Sequence, residues 1–227
     1  MLIDSGNPGC EKIILQEMKK QGCRELDYVI ATHPHADHIG SFPELLPQVK
    51  VKQIILPEAD PAFLDDPYLY ETFLSVARRS GAEMVTARSG SHFNLGQARF
   101  QVVGPVRRSE NLNNVSVAIR LVYQKCSFLF TGDAEEEEEY DLLRTGLNLN
   151  STVLKCGHHG SKSSTSEAFL TAVSPRTAVI SCGKDNDYGH PSPETLEKLN
   201  RRGISILRTD QAGTIVIGTQ GQKIWYS

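Results

Sequence analysis

The segment Thr32-His33-Pro34-His35-Ala36-Asp37-His38 places three imidazoles and a carboxylate within seven residues. It directly follows the apolar run Tyr28-Val29-Ile30-Ala31, so it falls in a loop at the C-terminal end of a strand. Irregular backbone there can turn several side chains to one point. His33 and His35, two apart, can face the same way in extended chain and clasp one ion. Asp37 and His38, past a bend, can reach a second. Imidazole with carboxylate suits zinc, and manganese or iron can also use such donors. With 7 histidines in 227 residues, this frame arises by accident on the order of once in several thousand chains.

Two further strand ends carry matching donors. Phe128-Leu-Phe-Thr-Gly-Asp133 is an apolar run that breaks at a glycine and presents a carboxylate; Leu154-Lys-Cys-Gly-His-His-Gly-Ser161 breaks into a glycine-flanked histidine pair. An aspartate between two cations can bridge them, as hydrolytic sites with ions about 3.5–4 Å apart require. Alone, Thr-Gly-Asp equally describes a turn or a helix N-cap, and His-His a pair of turn histidines. Together the three clusters support one another, because each supplies ligands the others lack.

The elements that must position these groups alternate short strands with helices. Gly9–Gln21 carries Ile13, Ile14 and Met18 at helical spacing and stops at Gly22, a C′ glycine. Strands are expected at Tyr28–Thr32 and Gln53–Leu56, then a helix over Pro67–Arg79 with Leu69, Phe73 and Val76 on one face. Val115–Tyr123 alternates as a half-buried strand, and Cys126–Phe130 completes a hairpin with it. Later strands fall at Thr152–Cys156, Ala178–Cys182, Ile204–Leu207 and Thr214–Ile217. Helices at Glu167–Val173 and Pro193–Arg202 lie between them, the second with Ser192 as N-cap and Pro193 at N1. This mixture predicts layered sheets covered by helices. With no Pro/Gly/Ser linker, it predicts a single domain over residues 1–227.

Composition narrows the functional classes. Apolar residues make up 39% and charged residues 22% of the chain, which supports a packed core and excludes wholesale disorder. No apolar stretch approaches the roughly 18 residues needed to cross a bilayer. A formal charge of −3 argues against a sequence-independent nucleic-acid stripe, so handling phosphates would need metal ions or a few placed cations. The five cysteines form no C-x-x-C pair and read as reduced thiols, leaning towards a reducing compartment. There is no G-x-S-x-G elbow, Walker loop or dinucleotide fingerprint. Cys156 reads as a buried thiol rather than a nucleophile. The acidic run Glu135–Glu139 reads as a solvated helix start favoured by the helix dipole.

His33-x-His35-x-Asp37-His38, Thr-Gly-Asp133 and Gly-His158-His159-Gly-Ser together resemble the metallo-β-lactamase superfamily of metal-dependent hydrolases. Leu154-Lys-x-Gly-His-His-Gly-Ser-Lys162, Asn114-x-Ser-Val-x-Ile, Tyr188-Gly-His190-Pro and Leu207-Arg-Thr-Asp210-x-x-Gly213 further resemble the soluble hydrolase domain of ComEC-type competence (DNA-uptake) proteins and their free-standing relatives. The resemblance covers nearly the whole chain. It implies an αββα four-layer sandwich, with the site at the open edge between two sheets. It places His33, His35 and Asp133 on a first metal, and Asp37, His38, Asp133 and one of His158/His159 on a second. His159 is taken as the ligand and His158 as the group facing substrate. Many members carry a further histidine for the first metal; here His92 reads as a surface turn residue, and the resemblance puts Asn114 at that position. The resemblance implies an opening hairpin before the Leu2-Ile-Asp4 segment; either this chain is a trimmed piece or one sheet lacks its outer strands, and a trimmed sheet would expose an edge.

The expected activity is hydrolysis of a phosphodiester, with DNA the natural polymer, using one or two Zn²⁺ or Mn²⁺ ions. Asp37 would orient or deprotonate water, with His158, Ser161, Lys162, Asn114 and His190 as phosphate or leaving-group partners. Lys155 and Arg208 could add positive charge. One alternative keeps the metals but acts on a small phosphodiester, lactone or thioester; another is a non-catalytic metal-binding module of a larger uptake assembly. The resemblance points to a membrane-channel parent or partner and an extracytoplasmic location, against the cytoplasmic leaning of the cysteines.

Overall fold

In the computed structural model, which describes residues 1–226, tertiary contacts divide the chain into two units. The first comprises Met1–Ala87 and Arg108–Val117, the second Arg88–Arg107 and Ala118 onward.

The first unit is built on four parallel strands, β1 (Leu2–Ile3), β2 (Glu25–Ile30), β3 (Lys50–Leu56) and β4 (Glu83–Thr86), lying side by side in chain order. Parallel neighbours need crossovers, and helices supply them: α1 (Glu11–Lys20), the short α2 (Ala36–Ile39) and α3 (Phe42–Leu45), and α4 (Pro67–Arg79). Helix α1 ends as expected. Gly22 is left-handed, and the Cys23 and Gly22 amides donate to the Met18 and Lys19 carbonyls, a Schellman stop. Helix α4 starts at Asp66, whose carboxylate accepts from the Leu69 amide, with Pro67 at the first turn. Its predicted face enters the core, Phe73 fully buried and stacked on Phe42. Val29, Ile54, Ile39 and Leu45 complete that core.

The second unit holds a seven-stranded mixed sheet: β5 (His92–Leu95), β6 (Ala98–Val102), β7 (Ile119–Tyr123), β8 (Cys126–Phe130), β9 (Val153–Lys155), β10 (Thr177–Ile180) and β11 (Ser205–Arg208). Strands β5 to β8 are antiparallel, whereas β8 to β11 run parallel. Helices α5 (Glu136–Arg144), α6 (Glu167–Val173) and α7 (Pro193–Arg201) connect the parallel part, followed by the short α8 (Thr209–Ala212) and a ribbon of β12 (Ile217–Thr219) with β13 (Ile224–Tyr226). Ser192 caps α7 by accepting from the Thr195 amide, as its sequence predicts. Leu129, Leu154, Phe169, Leu170, Ala178 and Leu199 form the core.

Four sequence expectations shift. Val115–Ala118 is not strand: Leu112–Val115 is a 3₁₀ turn, and Val115, Ser116, Val117 and Ala118 are all buried, so the alternation read there is not a half-buried ladder. The C-terminal strand begins at Ile217 rather than Thr214. His92 opens edge strand β5 opposite Gln101 instead of occupying a turn. The acidic run is solvated only in part. Glu138 and Glu139 are buried, Glu138 accepting from the Val106 amide and Glu139 from the Thr165 and Ser166 amides at the start of α6. The helix dipole explains acids in the first turn; these two also satisfy buried backbone donors.

Candidate metal centre

Strand β2 leaves the first sheet at Ile30, and its parallel neighbour β1 ends alongside, Ile3 paired with Ile30. That register brings Asp4 beside Thr32. The Asp4 carboxylate accepts from the Thr32 amide and hydroxyl, each at 2.8 Å, and from His38 Nδ1 at 2.7 Å. A carboxylate only accepts, so Nδ1 of His38 carries a proton, and in the neutral ring Nε2 keeps its lone pair. Nε2 lies 3.5 Å from Asp37 Oδ2. The α2 turn produces this pair by placing Asp37 and His38 just inside a helix that His35 opens with extended backbone. His33 is buried, its Nδ1 3.0 Å from the Thr32 hydroxyl and 3.4 Å from that of Ser116, while its Nε2 lies 3.0 Å from His35 Nδ1. His35 Nε2 meets Asp65 at 3.1 Å. Asn114 is buried on the 3₁₀ turn, two residues before Ser116.

In the second unit, parallel β8, β9 and β10 open their C-terminal ends at one sheet edge, where α/β proteins collect functional loops. Asp133 follows β8, His158 and His159 follow β9, and His190 lies on the connection after β10. Asp133 is buried. The histidine pair sits in left-handed backbone, φ 45° and 53°, a conformation that costs non-glycine residues about 1–2 kcal/mol each. Gly160 continues the same hand; a Cβ there would come within 2.8 Å of Pro191. The turn splits the rings, whose planes lie 67° apart. His159 Nδ1 donates to the Ser181 carbonyl at 2.7 Å, so in the neutral ring its Nε2 carries a lone pair, and it lies 3.3 Å from Asp133 Oδ2. His158 instead directs Nδ1 to Glu135 at 3.1 Å, with Nε2 3.9 Å from Asp133.

The two units therefore repeat one local arrangement: a histidine whose Nδ1 is committed to an oxygen acceptor, and whose Nε2 lone pair faces a carboxylate oxygen. Two lone pairs so close repel unless a proton or a cation sits with them. His33 Nε2 and His35 Nδ1, by contrast, form a hydrogen bond in which one ring nitrogen donates to the other. Nδ1 fixed by an oxygen is also the usual support for a metal-ligating imidazole. The donors present fit a divalent cation.

Around His158, Ser163 donates to Glu135 at 2.9 Å, and the Ser161 and Ser163 hydroxyls are 3.0 Å apart; Ser161 is buried and Lys162 exposed. The His190 ring stands edge-on to His158 at 5.6 Å. Burial, reinforced by His158 and His159, holds its pKa below the usual histidine range. The other two predicted cations are engaged locally: Lys155 donates to the Cys156 carbonyl and Arg208 pairs with Asp210 through two hydrogen bonds. Cys156 is fully buried, which pushes its thiol up to about 11 and leaves it protonated. Sequence reasoning missed Asp4 and Glu135 as supports of His38 and His158. For Asp4 no local pattern signals the role; for Glu135 the acidic run concealed it.

The sequence matches the family described as the Metallo-beta-lactamase superfamily over residues 1–184. ComE operon protein 3 of Bacillus subtilis (strain 168) is 37% identical over 206 residues, which cover 90% of this chain and 26% of that protein. Competence protein ComA of Neisseria gonorrhoeae is 31% identical, covering 96% and 29%. The chain thus spans about a quarter of the length of these relatives. Among solved structures, CmlA, a diiron beta-hydroxylase from Streptomyces venezuelae, superposes with a TM-score of 0.57 at 15% identity over 82% of this chain and 44% of that one. That likeness concerns the fold alone.

Proposed function

The chain belongs to the metallo-beta-lactamase superfamily, and from that premise we propose that its two units work as one hydrolase domain over residues 1–227, cleaving phosphodiester bonds of DNA in a role like that of the competence relatives. By the resemblance to that superfamily, Asp37 and His38 would share an ion with Asp133 and His159. His33 and His35, with Asp133, would hold a second, and Asn114 would face the substrate. The observation that carries the reading is the repeated histidine–carboxylate pair, His38 with Asp37 and His159 with Asp133. Zn²⁺ or Mn²⁺ suits these donors.

A divalent cation bound there supplies Lewis acidity towards water and towards a phosphoryl oxygen. The chain's own groups do the rest. Asp37, the more exposed of the two carboxylates at 41% against 3% for Asp133, can orient the attacking water and take its proton. Asp4 and Ser181 fix the rings of His38 and His159. His158, backed by Glu135, presents Nε2 to a substrate oxygen, with His190, Ser161 and Lys162 close in sequence or space for a phosphate or leaving group.

DNA is supported by the resemblance to DNA-uptake hydrolase domains and by the name of one relative, Competence protein ComA; among the described residues no helix is long and apolar enough to cross a membrane. A membrane channel, as parent or partner, would supply the uptake context. The net charge of −3 favours a second reading, a small phosphodiester, because a long polyanion is better held by a cationic track. The test is hydrolysis of single-stranded DNA and of bis(p-nitrophenyl) phosphate with added Mn²⁺ or Zn²⁺, in wild type, His35→Ala and Asp37→Ala. Wild-type turnover that the variants lose is the expected result, with steep salt dependence on the polymer. Full activity in both variants overturns the assignment, and salt-independent turnover selects the small substrate.

A further inference from the structure

Tyr188 stands on the loop between β10 and α7 with 83% of its surface exposed. Its ring stacks on His190, centroids 5.8 Å apart and planes 21° from parallel. His190 in turn meets His158 edge to face at 5.6 Å. Three rings thus run from solvent to the histidine whose Nε2 lies 3.9 Å from Asp133. An exposed aromatic usually sits on a mobile loop and loses its order to entropy. Here the loop is tied: Asn186 accepts from the His190 amide and donates to the carbonyls of Gly183 and His190. Asn186 thereby spans the loop, and the tyrosine is held in place before any ligand arrives.

From this geometry we infer that Tyr188 is a stacking platform for a nucleobase of single-stranded DNA, seating the base beside the nucleotide whose phosphate reaches the His158 end of the ring series. The inference rests on the phosphodiesterase reading and deepens it by naming what recognises the polymer. Stacking is sequence-tolerant, since every base has a π-face, and it requires no cationic groove, in keeping with a chain of net charge −3. One ring, rather than a run of them, reads one base. The platform therefore prefers a base over an abasic position without preferring a sequence.

The experiment measures binding, apart from turnover, by fluorescence anisotropy of a short labelled oligothymidylate and of the same strand carrying abasic sites throughout. The wild-type protein is expected to hold the base-bearing strand about tenfold more tightly, the lower part of the range for one stacked base. Tyr188→Ala should bring the ratio of the two dissociation constants close to one, whereas Tyr188→Phe should keep it. Equal affinities in wild type, no binding of either strand, or an undiminished ratio in Tyr188→Ala overturns the inference. A retained base preference without any hydrolysis sinks the nuclease reading and leaves the platform standing. Hydrolysis without base preference does the reverse.

Discussion

In the first unit three histidines and an aspartate come from one stretch, Thr32–His38, while the second unit gathers Asp133, the pair His158 and His159, and His190 from the ends of separate strands. The first cluster owes its geometry mainly to local rules. A strand stops, His35 opens a helical turn, and the period of that turn puts Asp37 next to His38. The second owes its geometry to pairing at a distance. Only because β8, β9 and β10 run parallel and adjacent do their C-terminal ends share an edge. It also stores backbone strain, with two consecutive histidines left-handed. Strain of this kind persists where surrounding structure over-determines it. Here the His159 bond to Ser181 and the His158 bond to Glu135 provide that support. Similar chemistry thus arises once from a contiguous motif and once from an assembly.

The comparison breaks most visibly at its carboxylates. If the clusters form one site, Asp37→Ala and Asp133→Ala each reduce hydrolysis by about 10²–10⁴-fold, the range for a lost acid–base or ligand group. Steady-state rates with saturating metal check this, and a large loss in one variant only would show that the clusters do not share a reaction. Asp4→Asn and Glu135→Gln probe the supports instead of the ligands. Asp4→Asn is expected to weaken metal affinity or activity by about 10–100-fold, as loss of a carboxylate behind a ligating imidazole does. Glu135→Gln, behind a histidine proposed to face substrate, should leave metal content untouched; calorimetric titration separates the two.

Smaller effects test the helix that follows Asp133. Glu139→Ala would orphan the Thr165 and Ser166 amides and cost about 1–3 kcal/mol of stability, read by urea unfolding. Glu138 offers a pH signature. Burial raises its pKa from 4.5 to about 8. Between those values the folded chain keeps a proton that the unfolded chain has released, so stability falls as pH rises through the window. This contribution is intact below about pH 4.5 and gone above about pH 8. Melting temperatures across that interval should decline less steeply in Glu138→Gln.

Much of this was legible in the residues. Helix α4 with its Asp66–Pro67 start and Phe73 face, the Gly22 stop of α1 and the Ser192 cap of α7 are local consequences of local chemistry, and they form where the pattern puts them. So is the metal-type character of Thr32–His38, because few other uses explain that density of imidazole. Val115–Ala118 was misread because alternation signals a strand only when one face meets solvent, and here four successive residues are buried. The buried acids of α5 escaped notice because a run of glutamates looks alike whether water or backbone amides receive it.

Sequence alone determined which donors exist and which strand ends carry them, since side-chain type and hydrophobic period are properties of neighbouring residues. Tertiary structure alone decided that Asp4 would fix the tautomer of His38, that Ser181 would fix that of His159, and that Tyr188, His190 and His158 would line up ring to ring. Those relations join residues 34, 22 and more than 30 positions apart. Hydrogen bonds and ring contacts across such gaps depend on which strands pair and in what register, and no short window of sequence contains that information.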